Sequence, residues 1–358
     1  MHLRQRYLLC PYNPEYISSA LTKHAIVMPD EIDIREDYIA QLDAELLNVI
    51  LKDHSTSNAD EQHNIFWATA DYQHLGKGYQ WKDEIKAELI TGEHCKVVTP
   101  RVMKSKVAQT ARSKDMAEVF TPSWICNAQN NLIDEAWFGR KDVFNQENPD
   151  HTWTDNTERI TFPEGKTWKD YVGDRRLEIT CGEAPYITSR YDTTTGAPIC
   201  VSHRIGLLDR KLRIVGENTC QSGEWLEWAQ RALKSTYAYE WQGDSLLLAR
   251  EAMLFTFIDF YVAKFGKMPL AKSLRYAAYI ISWNAWQMDG LKGVVPDSCG
   301  MKPSAQQSLF EEPRLEPCQG CKEGGLRHHN GTYCYIRQWN KSDSGKDKIR
   351  FIDLIKDK

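Results

Sequence analysis

Three thiols and two imidazoles stand close together in CQGCKEGGLRHHNGTYC: Cys318, Cys321 and Cys334, with His328 and His329 between them. Soft ligands in that number, with glycines to bend the chain between them, suit a tetrahedral zinc knuckle that needs only one of the histidines. A second chemistry is written in LEITCGEAPYITSRYD, residues 177–192, where an apolar run meets Glu178, then a Cys-Gly turn at Gly182, then Tyr186. A short strand ending in such a turn offers backbone N–H groups at the carboxyl edge of a sheet, where open α/β folds bind ligands. Glu178 and Gly182 fit an ordinary strand end and turn equally well. Glu240 follows the β-like run STYAY and precedes a long helical pattern. An acid at the end of a second strand can accept hydrogen bonds from both hydroxyls of a ribose. Trp241 beside it offers a ring to an adenine, although a Trp in a core is the commoner finding.

The elements that must position these residues can be traced along the chain. DEIDIREDYIAQLDAELLNVILKDH has helical spacing through Ile39, Leu42, Leu46 and Leu47 up to Ile50, which predicts a core-facing helix. A polar loop follows, and the aromatic stretch from Ile65 to Trp81 reads as irregular or β structure. RVMKSKVAQTARSK then places Arg101, Lys104, Lys106, Arg112 and Lys114 together with no acid among them. Such a run either holds a phosphate backbone by charge and counterion release or forms a solvated face. Thr121-Pro122 begins a helix carrying Trp124, Ile125 and Leu132, with a hydroxyl and a proline where caps favour them. DSLLLAREAMLFTFIDFYVAKFG predicts a long helix with Leu247, Leu254 and Phe257 on its core face and a cap at Gly266. LAKSLRYAAYIISW predicts another, leading into NAWQMDGL and Asp289.

Composition narrows the classes. A chain of 358 residues with 42% hydrophobic and 26% charged residues is long enough for a large core without staples. Its net charge of −4 argues against bulk attraction to nucleic acid, so any contact with DNA must come from a local patch. No apolar stretch is long enough to span a bilayer and the N-terminus lacks a signal peptide, which predicts a cytoplasmic protein with no membrane contact. Ten cysteines in so long a chain form no disulfide framework; seven are scattered and three cluster in the tail.

In order, FTP at Phe120, Thr121 and Pro122, then LEITCGEAPY, then the acid in TYAYEWQGD, then NAWQMDGL resemble the amino-group DNA methyltransferases of restriction and modification systems. The likeness is to the adenine-N6-specific class in which cofactor motifs come first, especially restriction endonuclease subunit M, and it spans residues 65 to 350. It implies an S-adenosylmethionine site in which Phe120, Thr121 and Pro122 lie over the methionine end. The acid, Gly-x-Gly turn and aromatic of the central motif fall on Glu178, Gly182, Ala184 and Tyr186. Ala184 replaces the second glycine, and alanine resists the positive φ that such a turn asks for. Asp289 would accept from the exocyclic amine of the cofactor's adenine, where an exposed Asp-Gly turn is the plain alternative.

One motif of that family is missing. Its catalytic tetrapeptide, Asn or Asp, Pro, Pro, then Tyr or Phe, accepts hydrogen bonds from the target amine and stacks on a flipped base; no such tetrapeptide occurs here. The expected architecture is therefore α/β: a Rossmann-like methyltransferase domain, or only its cofactor-binding half, at residues 101–299. A mixed N-terminal region at 1–100 precedes it, and a linker with the zinc-knuckle tail at 300–358 follows. The expected partners are double-stranded DNA and a catalytic chain carrying Asn-Pro-Pro-Tyr, the alternative being a non-catalytic scaffold subunit. The strand ending at Glu178, central in such a sheet, then has an open flank that another chain or the C-terminal tail must cover. QQSLF, Gln306 to Phe310, resembles the short peptide that docks on the DNA sliding clamp, in a stretch that reads equally as an ordinary linker.

Overall fold

The computed structural model describes residues 32–115, 121–303, 315–339 and 347–355. Phe120 and the QQSLF stretch lie outside the described residues. The first helical pattern forms two helices, α1 (Glu36–Leu42) and α2 (Leu46–Leu51), where the spacing predicts one. Asp43 makes the break: its backbone is extended and its carboxylate accepts the Glu45 N–H at 3.0 Å, a local bond that competes with the helix. Ile39, Leu46, Leu47 and Ile50 are buried as their spacing requires. Two further helices follow, α3 (Lys106–Asp115) and α4 (Ser123–Phe138).

The face that α4 buries is not its apolar one. Trp124 and Leu132 are exposed, while Asn127, Asn130 and Asp134 turn inward. Arg210 gathers them: its guanidinium reaches Asp134 at 2.6 Å, Asn127 at 2.9 Å and Asn131 at 2.8 Å, and Asp134 also accepts the Tyr171 hydroxyl at 2.7 Å. A buried charge held in this way is tolerated because its partners supply both countercharge and hydrogen bonds.

The sheet that matters for the site has three parallel strands in sequence order, β1 (Arg176–Glu178), β2 (Thr236–Glu240) and β3 (Ala285–Gln287). Glu178 lies opposite Ala238, and Glu240 opposite Gln287. Parallel neighbours need crossovers. The first is made by α5 (Leu207–Asn218) and α6 (Ser222–Lys234), the second by α7 (Gly243–Phe265) and α8 (Ala271–Asn284). Side chains alternate along β2 as the pleat demands. Thr236 and Ala238 face the helices, whereas Tyr237 and Tyr239 face the other way.

The α7 helix is capped at Gly266, which adopts the left-handed conformation at φ 64°. Its burial is not confined to one face: every residue from Gly243 to Tyr261 is buried, because α1 and α2 shield the side away from the sheet. Arg250 in its middle donates to the carbonyls of Ile50, Lys52, Ser282 and Ala285, the unpaired carboxyl ends of α2 and α8. The core runs unbroken from Ile34 and Ile39 through Trp67 to Ala285, so residues before 101 share it with the sheet.

The opposite face of the sheet is covered by the tail. β4 (Tyr335–Arg337) and β5 (Lys348–Arg350) form an antiparallel hairpin whose Ile336 and Ile349, with Phe351, pack on Tyr239 and Trp286. The hairpin covers a face and leaves the outer edge of β1 bare. Among the described residues β1 has one neighbour, and Leu177 and Ile179 are 44% and 61% exposed.

Candidate metal centre and the carboxyl end of the sheet

Four side chains converge beyond β3: Cys299, Cys318, Cys321 and His329. Nδ1 of His329 lies 3.7, 3.6 and 3.7 Å from the three sulfurs in that order, and all four ligand atoms fall within 4.8 Å of one another. A tetrahedral zinc with Zn–S near 2.3 Å and Zn–N near 2.0 Å separates a sulfur from a nitrogen by about 3.6 Å. The nitrogen-to-sulfur spacings match those of such a site, and the group can bind a metal ion such as zinc. Cys318 precedes a five-residue helix, Gln319–Glu323, that brings Cys321 back beside it. The glycine between them is required by space: a Cβ on Gly320 would lie 2.7 Å from His329 Nδ1. The Asn330 N–H points at the Cys318 sulfur at 3.2 Å. Against the desolvation of its setting, that bond and the Cys321 N–H bring the Cys318 thiol down to about 6, favouring the thiolate a metal needs.

This set corrects the one expected from spacing. Cys334 is not a ligand: it is buried under the sheet, and its thiol donates to the Gln287 carbonyl at 3.3 Å. It immediately precedes β4, whose Ile336 packs on Tyr239 and Trp286, and its side chain is turned into that core. Cys299, in the loop that follows β3, joins the group in its place. Of the two histidines, His329 is the one that joins the group; His328 is exposed, and its carbonyl accepts the Gly320 N–H.

At the carboxyl end of the sheet, the residues expected to form a cofactor site lie at the ends of adjacent strands. Glu178 accepts the N–H groups of Tyr186 at 3.3 Å and Ile187 at 3.1 Å. Burial, opposed by those two bonds and assisted by the charge of Glu240, raises its carboxyl to about 8. Glu240 accepts from Gly182 at 2.8 Å, Trp241 at 2.8 Å and Gln242 at 3.2 Å, and burial raises its carboxyl too. Neither acid has a cationic partner among the described residues. The turn between them takes positive φ at Thr180 (46°), Gly182 (53°) and Ala184 (59°). Ala184 therefore holds the conformation that an alanine resists, fully buried and with its N–H on the Cys181 carbonyl.

Thr121 and Pro122 lead into α4, and the Tyr186 hydroxyl lies against Thr121 and Cys126. The first N–H of that helix, on Ser123, is taken by the Asp192 carboxylate at 3.0 Å. Asp192 also accepts from Thr194 and Thr195, and despite partial desolvation these donors hold it well below the usual carboxylate range. Nothing in the sequence singled it out. Asp289 accepts the N–H groups of Leu291 and Lys292 and pairs with the Lys292 ammonium at 3.0 Å, so its carboxylate serves its own turn. Trp241 is half-buried.

The basic run divides. Arg112 is buried and donates to Asp71 at 2.6 Å and Asp244 at 2.9 Å, and Lys104 reaches Asp244 at 3.3 Å. Asp244 sits in the first turn of α7; these cations outweigh its desolvation and keep its carboxylate ionised. The Arg101 guanidinium donates to the Gln109 carbonyl at 3.1 Å. Arg112 is thus committed inside the fold and does not reach a phosphate backbone, whereas Lys106 and Lys114 are exposed.

Compared with family models, curated proteins and solved structures, the chain matches none. Among the described residues no helix is long and apolar enough to cross a membrane. What fold and site together define is a mixed α/β protein with a three-stranded parallel sheet, buried acids at its carboxyl end, and a Cys3His group able to hold a metal ion.

Proposed function

We propose that the chain is the cofactor-binding subunit of an S-adenosylmethionine-dependent DNA adenine-N6 methyltransferase, completed by a partner chain that carries the Asn-Pro-Pro-Tyr loop. The observation that carries this reading is the pair Glu178 and Glu240, two buried carboxyls without countercharge flanking a Gly turn at the ends of adjacent parallel strands. A cationic nucleoside ligand supplies both the charge and the ribose hydroxyls that such a pair can use. The cofactor brings the methyl group and its reactivity. The chain would bind and orient it: Glu240 at the ribose, Glu178 near the positive end, and Thr121, Pro122 and Tyr186 along the methionine. Lys106 and Lys114 are the exposed cations left to meet duplex DNA. With four protein ligands and no open position, the metal centre is read as structural zinc rather than a catalytic ion.

A second reading, a non-catalytic scaffold with the same fold, is favoured by Glu240 and Asp289, whose carboxylates already accept N–H groups from their own turns. Calorimetric titration with S-adenosylmethionine separates the two. The proposal expects binding that Glu240→Ala weakens by about 2 kcal/mol, the loss of charge-assisted hydrogen bonds. Absence of binding to the wild-type chain would favour the scaffold. Incubation with labelled cofactor and mixed DNA is expected to transfer no label until the partner is added.

A further inference from the structure

The outer edge of β1 is a place where the fold stops without being closed. Arg176 directs its N–H to the Ser235 carbonyl on the β2 side at 2.9 Å, so by alternation the N–H and C=O of Leu177 point away from the sheet. An edge strand with exposed apolar side chains is a template for another strand, and proteins ordinarily blunt or cover one. Leu177 and Ile179 instead present apolar surface there.

Beside the edge, between the sheet and the tail hairpin, runs a cleft of about 160 Å3. Leu177, Tyr237 and Trp286 form one wall and Ile349, Phe351 and Leu354 the other. Leu354 is 47% exposed, which makes the cleft continuous with the apolar edge. The mouth carries arginines. Arg176 is paired with Asp174 at 2.9 Å and Arg337 with Asp347 at 2.6 Å, but Arg175 is exposed and has no ion-pair partner among the described residues.

We propose that this edge and cleft bind an extended segment of a partner protein in which apolar and acidic residues alternate. The segment adds a strand beside β1, its backbone meeting the Leu177 N–H and C=O, an apolar side chain entering the cleft and an acid meeting Arg175. Charge selects this occupant over a second copy, which would bring a second Arg175 to a seam that already carries one without an ion-pair partner among the described residues. The described part of the tail is not the occupant, since its Phe351 and Leu354 are the far wall of the cleft. The inference stands on the sheet edge, the same flank that the proposed function leaves to its partner chain, and it survives if the chain binds no cofactor.

The test uses the full chain with its metal. A displayed library of decapeptides alternating apolar residues with Asp or Glu is panned beside one with Lys at the charged positions, and the most enriched peptide is synthesised. Enrichment of the acidic library only is expected, with affinity at least tenfold weaker for Arg175→Glu and lost when alternate peptide amides are N-methylated. Hydrogen exchange at the Leu177 amide should slow on binding. No enrichment, equal enrichment of the Lys library, or unchanged exchange at Leu177 would overturn the proposal. So would a concentration-dependent dimer in sedimentation that Leu177→Asp dissociates, since the edge would then belong to a second copy.

Discussion

Cys299 and Cys334 exchange the roles that their spacing suggests, and the exchange can be measured. Cys299→Ser and His329→Ala are expected to lower bound zinc from one per chain toward none, whereas Cys334→Ser and His328→Ala leave it in place; elemental analysis of protein purified without chelator decides. The C-x2-C pair and the adjacent histidines were legible because their separation is local, and a short chain can bend only so far. Cys299 was not, because a ligand from the far side of a long connection leaves no local signature; its one signal, a cysteine before a glycine just after a strand, occurs elsewhere in the chain at Cys181. The acids show the same division. That Glu178 and Glu240 end strands follows from the apolar runs before them, but the N–H groups they accept come from turns whose positive φ is marked at Ala184 only through the resemblance and at Thr180 not at all.

Helix α7 was legible as an element because a long apolar run ends at a glycine, yet its core face was read too narrowly. Periodicity reports the side turned to one neighbour; a helix enclosed on all sides has no solvent face for the period to reveal. One consequence is a pair of acids where helices meet. Glu36 on α1 and Glu251 on α7 are buried, and neither carboxyl has a hydrogen-bond partner from another residue among the described ones. Burial, with Asp33 and Asp37 adding repulsion, raises Glu36 to about 9; burial and the charge of Glu36 raise Glu251 well above the ordinary range. Both groups bind their protons more tightly folded than unfolded. Their contribution is fully present below the unfolded value near 4.5 and is lost as pH rises through about 9 for Glu36. Unfolding in urea from pH 5 to 9 should therefore show stability falling with pH, more steeply in the wild type than in Glu36→Gln. The variant is expected to gain up to about 3 kcal/mol near neutrality. A parallel pH dependence in the two proteins would refute the assignment.

On the scale of the molecule, three strands and the two helices between the second and third could be placed from the sequence, whereas the helices of the first crossover were not read; which surfaces the tail would cover could not be placed either, since a hairpin of three-residue strands has no pattern of its own. A metal ion held by Cys299, Cys318, Cys321 and His329 would fasten the tail, and it would also change the topology of the chain. Cys299 and Cys318 are nineteen residues apart, and an ion bound to both closes the intervening backbone into a ring. A ring of that size withholds from the unfolded chain the conformational freedom that a disulfide would, worth about 3 kcal/mol in the loop-entropy account. Unlike a disulfide, a zinc crosslink is not opened by thiols at cellular reducing strength, because its sulfurs are already reduced. A mild phosphine reductant should leave the thermal midpoint where it is, while a chelator lowers it by about 5 °C. With zinc bound, the molecule would carry a tie in a form that thiol reductants do not open.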